Sequence, residues 1–458
     1  MSVQTPTLMK ARLFLCLILL AGISHITPIT AQKKYDKQLE KADLEFETGN
    51  YKEAINILEQ KFYKKVKQKL GENSKYAPLY YLRMAKYSWA NGVVINFDKN
   101  IQKALETSKR VYGEQSTEHA QTLLEAAESL ILYGNFLQAR EFIETANRSL
   151  EAIGKVADNT RARLDLTMAV ILSNQGYYRK ALTYIEERDD YFRSRTSEKE
   201  TYIDASGKLQ TRKLTDPEIK RRYGDYGKLL TIKAYTLGAM GEVEMAWDAF
   251  EYARDWIGSS SQLGNGSLEY VENQFAFANF KIANGMDSES LGRGDHREEG
   301  FGRILSNLQK DHSDGHYKTF EIYETLIRLA IQEGQKARFR SIRSDYESAV
   351  KQNFPKHSLH FINLQTIEFN GKLVRGKTAS IEDEARTVLA KKEILPFNHP
   401  KTLMVLDFLY RVSVLNEDFE KANTYIHDIL NIQGELYGEN SPIYHMTKIK
   451  VAHFYINY

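Results

Sequence analysis

Cysteine is almost missing from this chain of 458 residues: Cys16 is the only one. Beyond the amino-terminal segment that holds it there is no disulfide, no thiolate nucleophile and no thiolate zinc site, so stability must come from packing. Proline is scarce as well, at eight residues, several of them between apolar segments, which fits many helices and few strands. Long apolar runs are also lacking. The one candidate, Leu13 to Ile23, has about a dozen residues, short of the roughly 20 that span a bilayer as a helix. It follows Lys10 and Arg12 and precedes Thr-Pro-Ile-Thr-Ala, so residues 1–31 are expected to be a secretory signal cleaved after Ala31, with no membrane span in the mature chain. The expected location is periplasmic or extracellular. Excess charge of one sign is absent too: the net value of +3 falls to +1 once Lys10 and Arg12 are removed, which leaves no nucleic-acid footprint. The densest basic stretch, Lys61, Lys64, Lys65, Lys67 and Lys69, reads as the solvated face of a helix.

What is present is a repeat. Gly49, Gly92, Gly134 and Gly176 end apolar helical segments at steps of 43, 42 and 42 residues. Seven residues before each stands an alanine, Ala42, Ala85, Ala127 and Ala169, and Tyr51, Phe136 and Tyr178 follow three of the glycines by two. Two antiparallel helices joined by a turn are implied. Helices approach closely only where a small side chain faces the partner, which gives Ala127, Ala139 and Ala146 their role, and glycine ends the first helix where a left-handed residue is needed. Gly134 to Ala139, Gly176 to Ala181, Gly241 to Ala246 and Gly49 to Ala54 are versions of one segment.

These residues resemble the tetratricopeptide repeat family, with the fifth unit, Ala234, Gly241, Ala246, Phe250 and Ala253, fitting best. The period near 42, against roughly 34 in the common form, and the linkers Leu70 to Ser74, Tyr112 to Ser116 and Tyr437 to Ser441 are similar to the kinesin-light-chain subtype. The resemblance covers Lys33 to Tyr458 and implies an all-α, right-handed α-solenoid of about nine helix pairs. Further turns are expected near Gly285, Gly334, Gly371 and Glu417, and an unpaired helix from Ile443. Residues 32–193 would hold units 1–4 and residues 223–458 units 5–9 with the last helix. Between them, residues 194–222 lengthen one step to 65 residues and read as a β-hairpin near 200–214, with Gly207 in its turn. An insertion of this kind flanks a binding surface as readily as it decorates one.

Three features look like chemistry. Gly371 to Thr378 satisfies G-x-x-x-x-G-K-[ST], with Lys377 and Thr378 placed for phosphate and magnesium and Asp407 downstream as a second metal ligand. The surrounding apolar spacing is helical and offers no βαβ unit, so a turn between helices is expected and a nucleotide hydrolase disfavoured. His296, His312 and His316 have metal-ligand chemistry, but Ser-Asp-Gly between the last two breaks the helix that would align them, and His357 and His360 fare no better. Arg293-Gly294-Asp295 spells an adhesion tripeptide inside a polar, Gly-rich loop. No cofactor, metal or catalytic residue is therefore assigned.

In the tetratricopeptide family ligands lie along the concave surface of the first helices. The resemblance places Gln121, Leu124, Glu128, Arg163, Leu166, Lys228, Thr231, Tyr235, Asp407 and Arg411 there. The Lys and Asn carboxylate clamp of chaperone-binding members is missing, as are the asparagines of the kinesin-light-chain type. The expected function is an exported scaffold, not an enzyme, that holds another protein or peptide. The alternative is the sensory or interaction region of a larger protein.

Overall fold

A computed structural model describes residues 33–154, 158–203, 207–285, 296–373 and 379–457. The expected secretory signal and the Arg293-Gly294-Asp295 tripeptide lie outside the described residues, as do Lys377 and Thr378. Among the described residues nineteen helices fall into nine antiparallel pairs and a terminal helix, and the one sheet has two strands. Unit 1 is α1 (33–47) and α2 (51–70), the latter interrupted by a π-helical turn over Ile57–Tyr63. Units 2 to 4 are α3 (Tyr76–Ala90) with α4 (Phe97–Tyr112), α5 (Thr117–Tyr133) with α6 (Phe136–Ile153), and α7 (Asp158–Gln175) with α8 (Tyr178–Ser194). Units 5 to 7 are α9 (Asp216–Ala239) with α10 (Val243–Ser259), α11 (Leu268–Ala283) with α12 (His296–Asp311), and α13 (Tyr317–Gln332) with α14 (Lys336–Asn353). Units 8 and 9 are α15 (Leu359–Leu373) with α16 (Ala379–Leu389) and α17 (Pro400–Leu415) with α18 (Phe419–Tyr437), and α19 (Pro442–Asn457) is the terminal helix.

Small residues sit at the helix crossings as the spacing requires. Ala127, Ala139 and Ala146 are fully buried, as are Ala234, Ala246 and Ala253 of unit 5. The linker motif also has a local cause. In Gly113 to Ser116 and Gly438 to Ser441, glycine with positive φ ends one helix, and the serine hydroxyl donates to its carbonyl while accepting the N–H of His119 or Tyr444 from the next helix. The expected turn at Gly371 is displaced: α15 continues through Leu373, because Phe369 at its end is still packed in the core. At Glu417 the phase holds without a glycine, and Glu417 itself takes the left-handed conformation at φ 60°.

The array closes on itself. The turn after the first helix of unit 1 touches the start of unit 7: Ser313 N–H donates to Thr48 O at 2.7 Å and Tyr317 N–H to the Tyr51 hydroxyl at 2.8 Å. Unit 2 meets unit 8 in the same way, Leu359 N–H donating to Gly92 O at 2.9 Å. Gly134 of unit 3 faces Pro400 of unit 9, and Gly176 of unit 4 faces Pro442 of α19. Gln175 Nε2 and the Tyr177 hydroxyl then donate to Tyr437 O and Asn440 O, each at 2.8 Å. Six units make one superhelical turn, and successive turns stack along a seam whose two sides share hydrophobic cores: one joins Leu82 to Ala181 with Leu359 to Val412, another Tyr35 to Ala90 with Tyr317 to Ile367. Packing across the seam removes apolar surface from water on both turns, the main favourable term in folding.

The β-hairpin, β1 (Lys199–Ile203) with β2 (Leu209–Lys213), pairs Lys199 with Lys213 and Ile203 with Leu209. Its base is tied to the solenoid through Glu200, which takes ion pairs from Arg195, Arg212 and Arg222. Leu209 is 73 % exposed, so the hairpin stands clear of the core. Helix α9 begins at Asp216 with a capping box of Thr215 and Glu218, inside the span expected as insertion.

Candidate functional site

First helices of successive units pack against one another and line the inside of the superhelix. Five of them carry charged residues three positions apart, which share one helix face: Arg83 and Lys86 on α3, Glu125 and Glu128 on α5, Asp225 and Lys228 on α9, Glu269 and Glu272 on α11, Lys318 and Glu321 on α13. Helix α7 adds Arg163. Several pair between neighbouring walls. Arg83 binds Asp43 of α1 through two nitrogens, both at 2.8 Å, and Arg163 binds Glu128 at 2.7 Å. Asn363 and Lys401 hold Glu324 at 3.0 and 2.9 Å.

Lys86 and Lys228 stand three units apart, half a superhelical turn, yet the charge of Lys228 adds to burial in holding the Lys86 ammonium below the usual lysine range. Burial raises the carboxyls of Glu125, Asp225 and Glu272, partly opposed by Arg83 at the first, Lys228 at the second and Lys318 at the third. Burial would lower Lys228, but Glu269, Asp225 and Glu272 outweigh it and raise its pKa. The carboxylates of Glu125 and Asp225 take part in no hydrogen bond or close ion pair among the described residues.

The residues expected from sequence do not form one site. Glu128, Arg163 and Lys228 come together in the channel, and Gln121 is exposed near the start of α5. Thr231 donates to Gly227 O at 3.0 Å and lies 3.4 Å from the Asn273 amide. Tyr235 stands apart near Tyr178 and Tyr437 and is 41 % exposed, with the partial burial of its ring raising its phenol. Asp407 and Arg411 pair with each other at 3.2 Å across one turn of α17. They edge a separate cavity of about 630 Å³ whose apolar lining includes Met404, Ile426 and Ile449. Leu124 and Leu166 are not on the concave surface at all: they are 1 % and 8 % exposed in the core, because Glu125 and Glu128 take the inward face of α5 and Arg163 that of α7. The i, i+3 charge pairs of the first helices were the missed signal, with 83 and 86 recurring at 125 and 128, one period on.

Asp407 lies on a helix rather than at a strand end, and no parallel strand is present among the described residues to position a phosphate loop. Nor does any group of three His, Cys, Asp or Glu side chains among those residues stand close enough to hold a metal. Instead His312 and His316 serve the seam: His312 Nδ1 lies 2.7 Å from Glu47 O, and His316 Nδ1 caps α13 by accepting the Lys318 N–H. Among the described residues no helix is long and apolar enough to cross a membrane.

No family model matches this chain, and no curated protein matches it. Solved structures of similar shape include a Rap protein complexed with competence and sporulation factor, at 13 % identity and a TM-score of 0.48, covering 88 % of this chain and 98 % of that one. Aspartyl phosphate phosphatase F from Bacillus subtilis is similar at 11 % identity and a TM-score of 0.42, covering 88 % and 95 %. The P58(IPK) TPR domain is similar at 14 % identity and a TM-score of 0.21, covering 92 % and 98 %. The nine helix pairs themselves, rather than these likenesses, establish the repeat architecture.

Proposed function

We propose that this chain is an exported scaffold of the long-period tetratricopeptide type, which holds an extended segment of another polypeptide in the channel formed by its first helices. One observation carries the reading: the half-buried carboxylates of Glu125 and Asp225 have no hydrogen-bond partner among the described residues, and the half-buried Lys86 ammonium is met by the Phe46 ring at 4.6 Å rather than by a carboxylate. A partly buried charge without a polar partner is costly, and an extended segment supplies N–H, C=O and side-chain groups to relieve it. The β-hairpin stands clear of the core and is proposed as a secondary contact. No catalytic, cofactor or metal role is assigned to any residue.

The test is affinity capture and crosslinking with protein in its native envelope, followed by binding measurements on the captured polypeptide. Neutralising the channel with Glu125→Gln, Asp225→Asn and Lys86→Met should weaken binding at least about tenfold, since a hydrogen bond to a charged group contributes roughly 1.5–3 kcal/mol. Arg148→Glu, an exposed change on α6, should leave affinity unchanged. Equal affinity in all variants, or an equal loss in the Arg148 variant, contradicts the channel reading. Removal of residues 198–214 in the same assay separates a contact role of the hairpin, which lowers affinity, from decoration, which does not.

A further inference from the structure

The seam between superhelical turns carries a histidine at each of its first three contacts, packed against the turn of the unit six places earlier. His316 at units 1 and 7, His360 at units 2 and 8, and His399 at units 3 and 9 are 1 %, 8 % and 3 % exposed. His360 Nε2 lies 3.1 Å from Ala90 O across the seam, and the His399 ring packs edge-on against Tyr133 at 4.8 Å. Their other nitrogens have no acceptor: among the described residues His360 Nδ1 and His399 Nε2 are buried without a partner. At His360, whose Nε2–H faces Ala90 O, a second proton would sit on the bare Nδ1; at His399, whose Nδ1 accepts the Lys401 N–H, it would displace that cap and leave the buried Nε2–H still without an acceptor.

We propose that the seam is an acid-operated latch: the three histidines, neutral and packed between turns, hold the superhelix closed near neutral pH, and their protonation separates the turns without melting the helices.

The lysines beside these rings are themselves paired, Lys318 with Glu321 at 2.6 Å and Lys401 with Glu324 at 2.9 Å, but among the described residues no carboxylate accepts a hydrogen bond from any of the three imidazoles. His316 meets His312 and Lys318, with Tyr51 and Tyr317 beside it. His360 meets Lys401 and the aromatic faces of Phe320 and Phe354, with only the more remote Glu321 acting the other way. His399 meets Lys401 and Tyr133. Burial, with Lys401 adding to it, pushes His360 down to about 4 and His399 down to about 3, and burial also lowers His316. The closed seam therefore binds fewer protons than the open one, whose histidines regain about 6.5. A depressed histidine contributes stability that is present above that value and is lost as pH falls below it. At about pH 5.5, His360 and His399 each shift the balance toward the open form roughly tenfold.

Small-angle X-ray scattering and far-ultraviolet circular dichroism on the full chain, from about pH 7.5 to about pH 5, test the latch across the histidine range. The expected result is a radius of gyration that rises on acidification while the helical signal stays constant. The variant His316→Asn, His360→Gln, His399→Asn should stay compact throughout. His399→Asn alone, whose side chain still caps α17 as His399 Nδ1 does for Lys401 N–H, should move the opening to lower pH. A wild-type chain that stays compact at the acid end overturns the proposal. So does expansion accompanied by loss of helical signal, or a His399→Asn variant that opens at the wild-type pH.

Discussion

Gly134→Ala should destabilise the fold by about 2–4 kcal/mol, and Gly241→Ala by about 1–2 kcal/mol. Both glycines close the first helix of a unit with positive φ, +94° and +85°, so an added Cβ strains the backbone alike. The surroundings differ. A Cβ at 134 would lie 2.6 Å from Pro400 Cγ, while at 241 it would meet nothing within 4 Å. Gly134 lies on the seam, and Gly241 meets no other turn among the described residues. The difference between the two variants reads the overpacking cost of the seam alone. Pro400→Ala in the Gly134→Ala background should recover much of it, as expected when two neighbouring residues are coupled. Denaturant titration provides the check; equal losses in the two glycine variants would show that the turns do not touch.

Phe250→Ala should cost about 3–5 kcal/mol, the range for deleting a large buried ring. Phe250 is fully buried on α10, stacked on Phe277 at 5.0 Å and against Phe280 at 5.4 Å, both on α11. This cluster joins unit 5 to unit 6. Among the described residues the only seam contacts near these units are at the end of unit 6, where His312 meets Glu47, so the stability of unit 5 comes from nearest neighbours in the manner of an open solenoid. The cavity weakens the bridge between the halves of the superhelix. Phe250→Leu, nearer in volume, should cost under about 1.5 kcal/mol. A Phe250→Ala loss no greater than that of Phe250→Leu would contradict the packing assigned here.

The helix pairs were legible because their causes are local. Gly134 and Ala127 report a turn and a crossing within one unit, and Ser116 and Ser441 report caps within four residues. Unit 8 was harder to place because Gly371, read as its turn, lies within α15. The seam was not legible, since Gly92 and Leu359 meet only through the summed rotation of six units. A trace existed all the same: His399-Pro400 and Ser441-Pro442 repeat in phase with Gly134 and Gly176, the glycines they press upon. The concave face was half legible. Mapping by repeat position alone put Leu124 and Leu166, which are buried, on the wrong side of their helices. The charge spacing of Glu125 with Glu128 and of Asp225 with Lys228 carried the true orientation.

The central claim is that the array closes after six units, and it reduces to one contact between residues far apart in sequence. In a Cys16→Ser background, Tyr177→Cys and Asn440→Cys supply the only two thiols, at positions where the Tyr177 hydroxyl meets Asn440 O. A short bifunctional thiol reagent should link them within one chain at near-neutral pH, in high yield and at any protein concentration. An unlinked chain under those conditions, with both thiols shown to be reactive, would mean that the repeats form an open array and that the channel does not exist as described.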